Sequence, residues 1–98
     1  MEVAFDAVVY RWQARTQDWF FADVPAKLSA DIRELAAPFP RGFGAVRVAV
    51  EVGATRWRTS IFPGSDGVYA LPLKRAVREA EGLAEGGPVH VRLRTLDA

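Results

Sequence analysis

Two valine-rich segments of the chain alternate strictly between apolar and polar positions. Valine occupies every second position of residues 46–52, and arginine, alanine and glutamate stand between the valines. Residues 89–95 repeat the alternation, with His90, Arg92 and Arg94 set between apolar residues. Because successive side chains of a strand point to opposite faces, each segment predicts a strand with one buried and one exposed face.

Further segments also have the composition of strands. Residues 3 to about 14 are apolar at odd and at even positions, so we expect this first strand to lie at the centre of the sheet. Residues 19–21 form an aromatic run, and residues 57–61 place tryptophan, threonine and isoleucine on one face. The proline and glycine cluster at residues 63–67 predicts a turn into one more strand.

Two short helices are predicted between the strands. Ser29 is placed to cap the first helix, since its hydroxyl can accept a hydrogen bond from a backbone N–H, and Pro38 ends that helix. The second helix begins at Pro72, which a first turn tolerates, and ends at Gly82. Neither helix exceeds about three turns, so each depends on packing against the sheet.

The order strand, proline, helix, glycine, strand occurs twice, over residues 19–52 and 66–95. The alignment matches Val24-Pro25 with Leu71-Pro72, Ile32-Arg33 with Val77-Arg78, and Gly44 to Val50 with Gly87 to Leu93. We therefore predict one domain over residues 1–98 that contains two pseudo-repeats.

Composition bounds the class of protein. The chain has 98 residues, of which 50% are apolar, and this predicts one small globular domain. It has no cysteine, which excludes disulfides, thiol nucleophiles and cysteine-bound metals. Met1-Glu2-Val3 lacks the basic-then-apolar order of a signal peptide, and no apolar run approaches the roughly 20 residues of a membrane span. We expect a cytoplasmic protein without a membrane segment, whose net charge of +1 leaves a polyanionic partner open.

A series of spaced residues extends from Trp57 to Gly86. It reads Trp57-x-Thr59-Ser60-Ile61-x-Pro63, then Gly67-x-Tyr69-x-Leu71-Pro72-x-Lys74-x-x-Val77-Arg78-x-x-x-Gly82-Leu83-x-x-Gly86. Upstream, Trp19-Phe20-Phe21 leads to Val24-Pro25, and Gly42-Phe43-Gly44 precedes the valine strand. Together these motifs resemble the DUF1905 family, a prokaryotic family classified only as a domain of unknown function.

This resemblance implies an all-β dominated fold, a small double-split β-barrel of about six or seven strands with two short helices and pseudo-duplicated halves. The segment from Leu71-Pro72 to Gly82-Leu83 also looks like the core motif of AbrB-type regulators and MazE-type antitoxins, which build such a barrel from two chains and bind DNA. Since this chain contains both halves, we expect a monomer or a weak dimer. The related motif usually carries Gly-Asp where this chain has Gly86-Gly87, so a turn hydrogen bond from that aspartate is missing.

Candidates for catalysis and metal binding are few. His90 is the only histidine, and no further ligands stand at a metal-binding spacing from it. Ser60, His90 and Asp66 are the residue types of a hydrolytic triad, but no Gly-x-Ser-x-Gly elbow exposes a nucleophile. The glycine turns lack phosphate-loop patterns. We therefore predict that the protein is not an enzyme and has no catalytic residue, metal or cofactor.

Arginine supplies eleven of the thirteen basic residues. The outward positions of the predicted strands include Arg47, Arg58, Arg92 and Arg94. If these strands are neighbours, the arginines form a basic patch near Trp12 or Trp57, which is typical of nucleic-acid contact. The alternative is a solvated sheet face that Glu51 interrupts.

A second candidate site is a pocket between the helices and the barrel. Its polar groups would come from Arg58, Ser60, Lys74 and Arg78, and aromatic residues would either line it or fill the core. Phe39 and Phe43 flank a loop, where they form an apolar patch for a partner or tuck beneath the loop.

These observations leave three hypotheses for function. The leading hypothesis is a noncatalytic binding or accessory module, with a protein partner left open. The alternatives are an AbrB-like nucleic-acid-binding regulator, for which Arg47, Arg58, Arg92 and Arg94 are the contacts, and a small-molecule-binding protein that uses the pocket.

Overall fold

Seven strands and two helices follow one another along the chain. The structure is a computed structural model that describes residues 1–14, 17–38 and 44–96. The elements are β1 (Glu2–Val8), β2 (Tyr10–Ala14), β3 (Gln17–Asp23), α1 (Ala26–Ala36), β4 (Val46–Val52), β5 (Thr55–Pro63), β6 (Tyr69–Pro72), α2 (Arg75–Glu81) and β7 (Pro88–Thr95). The predicted mostly β fold with two helices is confirmed, whereas the predicted Phe39 and Phe43 patch and the Gly42-Phe43 turn lie outside the described residues.

The strands form one antiparallel sheet that curls into a half-barrel, in the order β1-β7-β4-β5-β6-β3-β2. Its two edge strands, β1 and β2, are separated along the chain by Val9 alone. Val9 is buried, its N–H donates to the carbonyl of Gly87 at 2.9 Å, and its carbonyl accepts from the N–H of Gly86 at 2.7 Å. The chain itself therefore connects the two edges of the sheet.

The prediction of a single central strand over residues 3–14 is wrong. The segment is divided into β1 and β2, and both lie at edges of the sheet. Phe5 and Val9 point into the core, but the apolar side chains at the even positions remain exposed, including Val8 at 58% and Trp12 at 56%. Apolar residues on both faces here reflect one buried face and one exposed aromatic face, not burial on both sides.

Inward residues of every described strand except β2 fill the interior of the half-barrel. In β4 and β7 the predicted alternation is confirmed, since the valines of β4 and the apolar positions of β7 are buried while Arg47, Arg92 and Arg94 are exposed. The helices close the core through Ile32 of α1 and Val77 of α2, which are almost completely buried. Burial of such side chains contributes roughly 1.5–3 kcal/mol each.

Helix α1 begins earlier than the sequence predicts, and helix α2 begins later. The residue before α1 is Pro25, so Ser29 lies inside the helix and does not cap it. The residue before α2 is Lys74, because Pro72 still belongs to β6 and the N–H of Leu73 still donates to the carbonyl of Phe20. The end of α2 at Gly82 is confirmed; this residue has a φ of 63°, which glycine adopts without strain.

Ser29 joins β3, β6 and α1 at one buried point. Its hydroxyl donates to the carbonyl of Val24 at 2.9 Å and accepts from the N–H of Tyr69 at 3.1 Å. The N–H of Val24 in turn donates to the carbonyl of Tyr69 at 2.9 Å. The hydroxyl is thus inserted into the β3–β6 ladder where the chain turns into the helix, and it satisfies two backbone groups that would otherwise be buried without a partner.

Corresponding strands of the two halves pair with each other. β3 pairs with β6, and β4 pairs with β7. In the second pair Val50 lies opposite Leu93, the residue with which the sequence alignment matches it. In the first pair Ala22 lies opposite Leu71, and Val24 bonds to Tyr69. Because the alignment matches Ala22 with Tyr69 and Val24 with Leu71, exchanging the two halves converts one of these contacts into the other. These registers are what a twofold axis between related halves would produce.

The matched arginines of the two helices are used differently. Arg78 of α2 lies over the ring of Phe20, with 3.9 Å between the guanidinium carbon and the ring centroid. Arg33 of α1 donates instead to the carbonyl of Gly67, the residue that the alignment matches with Phe20. Gly67 has a φ of 81°, a left-handed conformation that a residue with a side chain adopts only with strain, so glycine suits this position.

We predict that Ser29→Ala destabilises the domain by about 2 kcal/mol, because it leaves the Val24 carbonyl and the Tyr69 N–H without their shared partner. Thermal unfolding measures this as a fall in Tm of roughly 10 °C. Ser60→Ala is the matched control, since among the described residues no hydrogen bond involves that hydroxyl, and it should change stability by less than about 0.5 kcal/mol. Equal effects of the two substitutions would contradict the bridging role.

Candidate functional site

A cleft opens where β5 diverges from β6. Within the described chain, β5 pairs with β6 only through Phe62 and Pro63, whereas it pairs with β4 along most of its length. The separation leaves a cavity of about 570 Å³. Its walls are residues 17–20 of β3, residues 57–59 of β5, and residues 72–75 with Arg78 at the start of α2. α2 therefore contributes a wall, while α1 does not line the cleft.

The lining combines an apolar base with cationic walls. Leu73 is buried and Phe20 half-buried at the base, while Trp19 and Trp57 provide aromatic surface. The basic residues of the lining are Arg58, Lys74, Arg75 and Arg78, and its acidic residue is Asp18. An apolar cavity of this size with a few converging polar groups is typical of small-molecule sites.

Arg78 is held rigidly at the base of the cleft. Its Nε donates to the carbonyl of Leu73 at 3.0 Å, and its guanidinium plane covers the ring of Phe20. Among the described residues, no carboxylate pairs with Arg78. Its terminal N–H groups keep their capacity to donate to an anion, because a guanidinium has five N–H donors and the described contacts use one.

Two charged residues of the lining are already neutralised. Arg75 pairs with Glu79 one turn further along α2 at 2.7 Å, and Asp18 pairs with Arg11 at 3.6 Å. Arg58 and Lys74, in contrast, form no ion pair with any residue of the described ranges. The cleft therefore presents Arg58, Lys74 and Arg78 as cations without an acidic partner.

Three of the four residues predicted to form a pocket converge in this cleft. They are Arg58, Lys74 and Arg78. The fourth, Ser60, does not line this cleft. The reason is that β5 has nearly rejoined β6 at this point, since Phe62 already pairs with Ala70.

The four arginines predicted to contact nucleic acid lie on one outer face of the half-barrel. Ala49 of β4 lies opposite Arg58 of β5 on one side and opposite Arg94 of β7 on the other. Arg47 is two residues away on the same strand. These three arginines surround a small side chain, and they form no ion pair with the part of the chain that the structure describes.

Arg92 differs from its three neighbours. Glu51 pairs with Arg92 at 3.5 Å and with Arg56 at 2.8 Å, so one carboxylate partly neutralises two arginines. The predicted set therefore divides into a compensated residue, Arg92, and an uncompensated triangle of Arg47, Arg58 and Arg94. We call this triangle the arginine triangle.

An aromatic stripe adjoins the cleft on the outer face of β2 and β3. It consists of Trp12 opposite Trp19 and Tyr10 opposite Phe21. The exposed fractions of Trp12 and Trp19 are 56% and 46%. The alternation of β2 and β3 indicates this stripe, but the sequence did not show which face of these strands is buried.

Tyr10 is fixed within the stripe. Its ring centroid lies 5.8 Å from that of Phe21, and its hydroxyl donates to Asp23 Oδ1 at 2.6 Å. Burial, and next the hydrogen bond to Asp23, raise the pKa of Tyr10. The phenol is therefore neutral in the physiological range, and its polar atom is directed to a partner within the domain.

The residues considered for catalysis are not brought together. His90 Nδ1 lies 2.8 Å from Asp6 Oδ1 on β1, and Asp66 accepts from the N–H of Val68 in a turn. Ser60 lies on β5, which β4 separates from the strand of His90. Over residues 1–14, 17–38 and 44–96, no group of three or more histidine, aspartate or glutamate residues could hold a metal ion. Neither described helix has the length and apolarity required to cross a membrane.

We predict that the contact between Arg78 and Phe20 contributes about 0.5–1 kcal/mol to stability. A double-mutant cycle with Arg78→Met and Phe20→Leu, followed by urea unfolding, isolates this coupling energy. Combining Arg78→Met with Phe62→Leu is the control, since Phe62 is an exposed residue beyond the closed end of the cleft, and its coupling should be near zero. A coupling below about 0.2 kcal/mol for the first pair would show that the ring does not hold the guanidinium.

Comparison with known proteins adds one finding. A family model described as "Domain of unknown function (DUF1905)" matches residues 5–93. No protein with a curated description matches the chain. The match covers nearly all of the chain and confirms the resemblance that the motifs around Trp57 and Leu71-Pro72 indicate.

Proposed function

This chain belongs to the DUF1905 family, a domain of unknown function, and from the geometry of its cleft we propose that it is a noncatalytic module that binds a small anionic molecule with an apolar or aromatic body. The observation that supports this most directly is the convergence of Arg58, Lys74 and Arg78, without acidic partners among the described residues, on the walls of one cleft with an apolar base.

The two parts of the cleft favour the two parts of such a ligand. Phe20 and Leu73 at the base, with Trp19 and Trp57 on the walls, offer apolar surface to a ring. On the walls Arg58 and Lys74 attract a phosphate, sulfonate or carboxylate, and the fixed guanidinium of Arg78 at the base suits a two-oxygen contact. The ligand would bind with its ring against the tryptophan surface and its anion between the three cations.

The lining supports binding more than catalysis. Among the described lining residues there is no histidine, and Asp18 is engaged by Arg11. General acid–base catalysis requires a group that holds or releases a proton near neutral pH. The cationic side chains of the lining, Arg58, Lys74 and Arg78, are suited to hold an anion by charge and hydrogen bonding.

A cytoplasmic location and a monomeric state accompany this proposal. The monomer is supported by the pairing of β3 with β6 and of β4 with β7, since both halves of the half-barrel then come from one chain. The AbrB-type regulators that the Leu71-Pro72 motif resembles need two chains for the same purpose. Light scattering at several protein concentrations tests this point independently of any ligand.

We expect 1-naphthyl phosphate to bind the protein at least tenfold more tightly than either 1-naphthol or inorganic phosphate, because only the first probe has both a ring and an anion. Isothermal titration calorimetry at low salt measures the three affinities. Arg58→Ala and Lys74→Ala should each weaken naphthyl phosphate binding by about fivefold, which corresponds to about 1 kcal/mol for a partly exposed charge contact. Higher ionic strength should reduce the affinity further.

Lys27→Ala is the matched control, since Lys27 is an exposed lysine on α1, away from the cleft. It should leave all three affinities unchanged. Binding of 1-naphthol as tight as that of its phosphate, or equal effects of Lys27→Ala and Lys74→Ala, would refute an anion site in the cleft.

A further inference from the structure

We propose that the cleft is the middle of a longer surface that binds single-stranded nucleic acid, with the bases on the aromatic stripe and the phosphates on Lys74 and the arginine triangle. This inference rests on the proposed function of the cleft and names the class of ligand it takes. It requires the stripe, the cleft and the triangle to be continuous on one face.

The strand registers show that continuity. Trp12 lies opposite Trp19, and because Phe21 lies opposite Pro72, the antiparallel ladder places Trp19 level with Lys74. Across the cleft from Lys74 lies Arg58, which shares its lining. The row then continues through Ala49 to Arg94 on β7. The outward side chains along it are Trp12, Trp19, Lys74, Arg58, Ala49 and Arg94.

The length of this row indicates how many nucleotides the ligand has. It crosses six chain segments, and neighbouring strands lie about 4.8 Å apart, so the row spans at least about 24 Å. A single phosphate or one nucleotide occupies only part of this distance. Since the backbone advances by at least about 3.4 Å for each phosphate, the row accommodates at most about seven nucleotides, which lies within the range of about 4–16 nucleotides known for single-stranded sites.

The charges along the row favour a polyanion although the whole chain is nearly neutral. Two acidic residues beside the row are paired with arginines, Glu51 with Arg56 and Arg92, and Asp18 with Arg11. Asp23, at the end of the aromatic stripe, accepts a hydrogen bond from the Tyr10 hydroxyl and forms no ion pair within the described ranges. Glu2 lies opposite Arg94 and marks the end of the basic surface at β1. Lys74, Arg58, Arg47 and Arg94 form no ion pair within the described ranges, and a phosphate backbone would supply their counter-charges.

The shape and the aromatic groups favour a single strand over a duplex. Unpaired bases can stack on exposed tryptophan side chains, whereas the bases of a duplex are already stacked on each other. The row also runs over the outside of a curled sheet. A flexible single strand can follow this convex surface, but a duplex with a persistence length of about 50 nm touches it over a short distance only.

The test is fluorescence anisotropy with labelled oligothymidines of two, four, eight and twelve nucleotides at 50–200 mM salt, together with a twelve-base-pair duplex. Affinity should rise with length up to at least four nucleotides and then level off. The slope of log affinity against log salt should lie between about −2 and −3, because each of three or four phosphate contacts contributes about −0.7. The duplex should bind at least tenfold more weakly than the twelve-nucleotide strand.

Variants distinguish the two kinds of contact. Arg47→Ala and Arg94→Ala, which change residues outside the cleft, should each make the slope less negative by about 0.7. Trp12→Ala should weaken binding by roughly tenfold at every salt concentration without changing the slope, since stacking involves no counterion release. The altered side chains are exposed, so the variants should keep the wild-type circular dichroism spectrum and Tm.

Two controls complete the set. Lys27→Ala removes a charge from α1, and Phe62→Ala removes an exposed ring from β5 outside the row. Neither should alter the affinity for oligothymidine by more than twofold.

The outcomes separate this inference from the proposed function. One outcome would overturn the single-strand surface and leave the small-ligand site standing. In that outcome 1-naphthyl phosphate binds in a way that depends on Arg58 and Lys74, but the affinity for oligothymidine does not increase with length or is unchanged by Arg94→Ala and Trp12→Ala. Equal affinity for the duplex would also overturn it. Failure of both probes would overturn both proposals.

Discussion

The curling of one antiparallel sheet until its edge strands are joined by Val9 is the constraint on which the remaining features depend. In the central strands every second side chain must then enter a narrow interior, and the valines of β4 and the apolar positions of β7 fill it. The intervening side chains have no alternative to the outer surface. Residues that do not serve the core, including Arg58 and Trp19, are therefore collected on the outer surface of the sheet, which is where the proposed binding surface lies.

The cleft follows from the same geometry combined with an asymmetry between the two halves. β5 must stay paired with β4 while it also reaches β6, and it contacts β6 only at its end. In one half, the ring of Phe20 supports Arg78 at the base of the opening. In the other half, the matched position is Gly67, which has no side chain, and Arg33 donates to its carbonyl. The two matched arginines therefore have different surroundings, because the aromatic ring that supports Arg78 has no counterpart beside Arg33.

Much of the fold could be predicted from local pattern, whereas the site could be predicted only in part. The alternation in residues 46–52 and 89–95 identified the buried face because burial of valine is a property of each strand alone. The edge positions of β1 and β2 and the bridging hydroxyl of Ser29 depend on which strands become neighbours, and one sequence does not contain that information. For the same reason Arg58, Lys74 and Arg78 could be named as candidates, but not their arrangement. The position of Ser60 outside the cleft and the position of Ala49 at the centre of the arginine triangle depend on the strand registers.

The pairing of β1 with β7 has a consequence for how the chain acquires its shape. Each contact between these strands closes a loop of nearly the whole domain, as between Asp6 and His90, and such closure costs chain entropy before any contact compensates for it. During synthesis β1 emerges from the ribosome long before β7 exists, so its core residue Phe5 stays uncovered until β7 is available. A fold of this topology is expected to assemble slowly for its size, and β1 is expected to dock late.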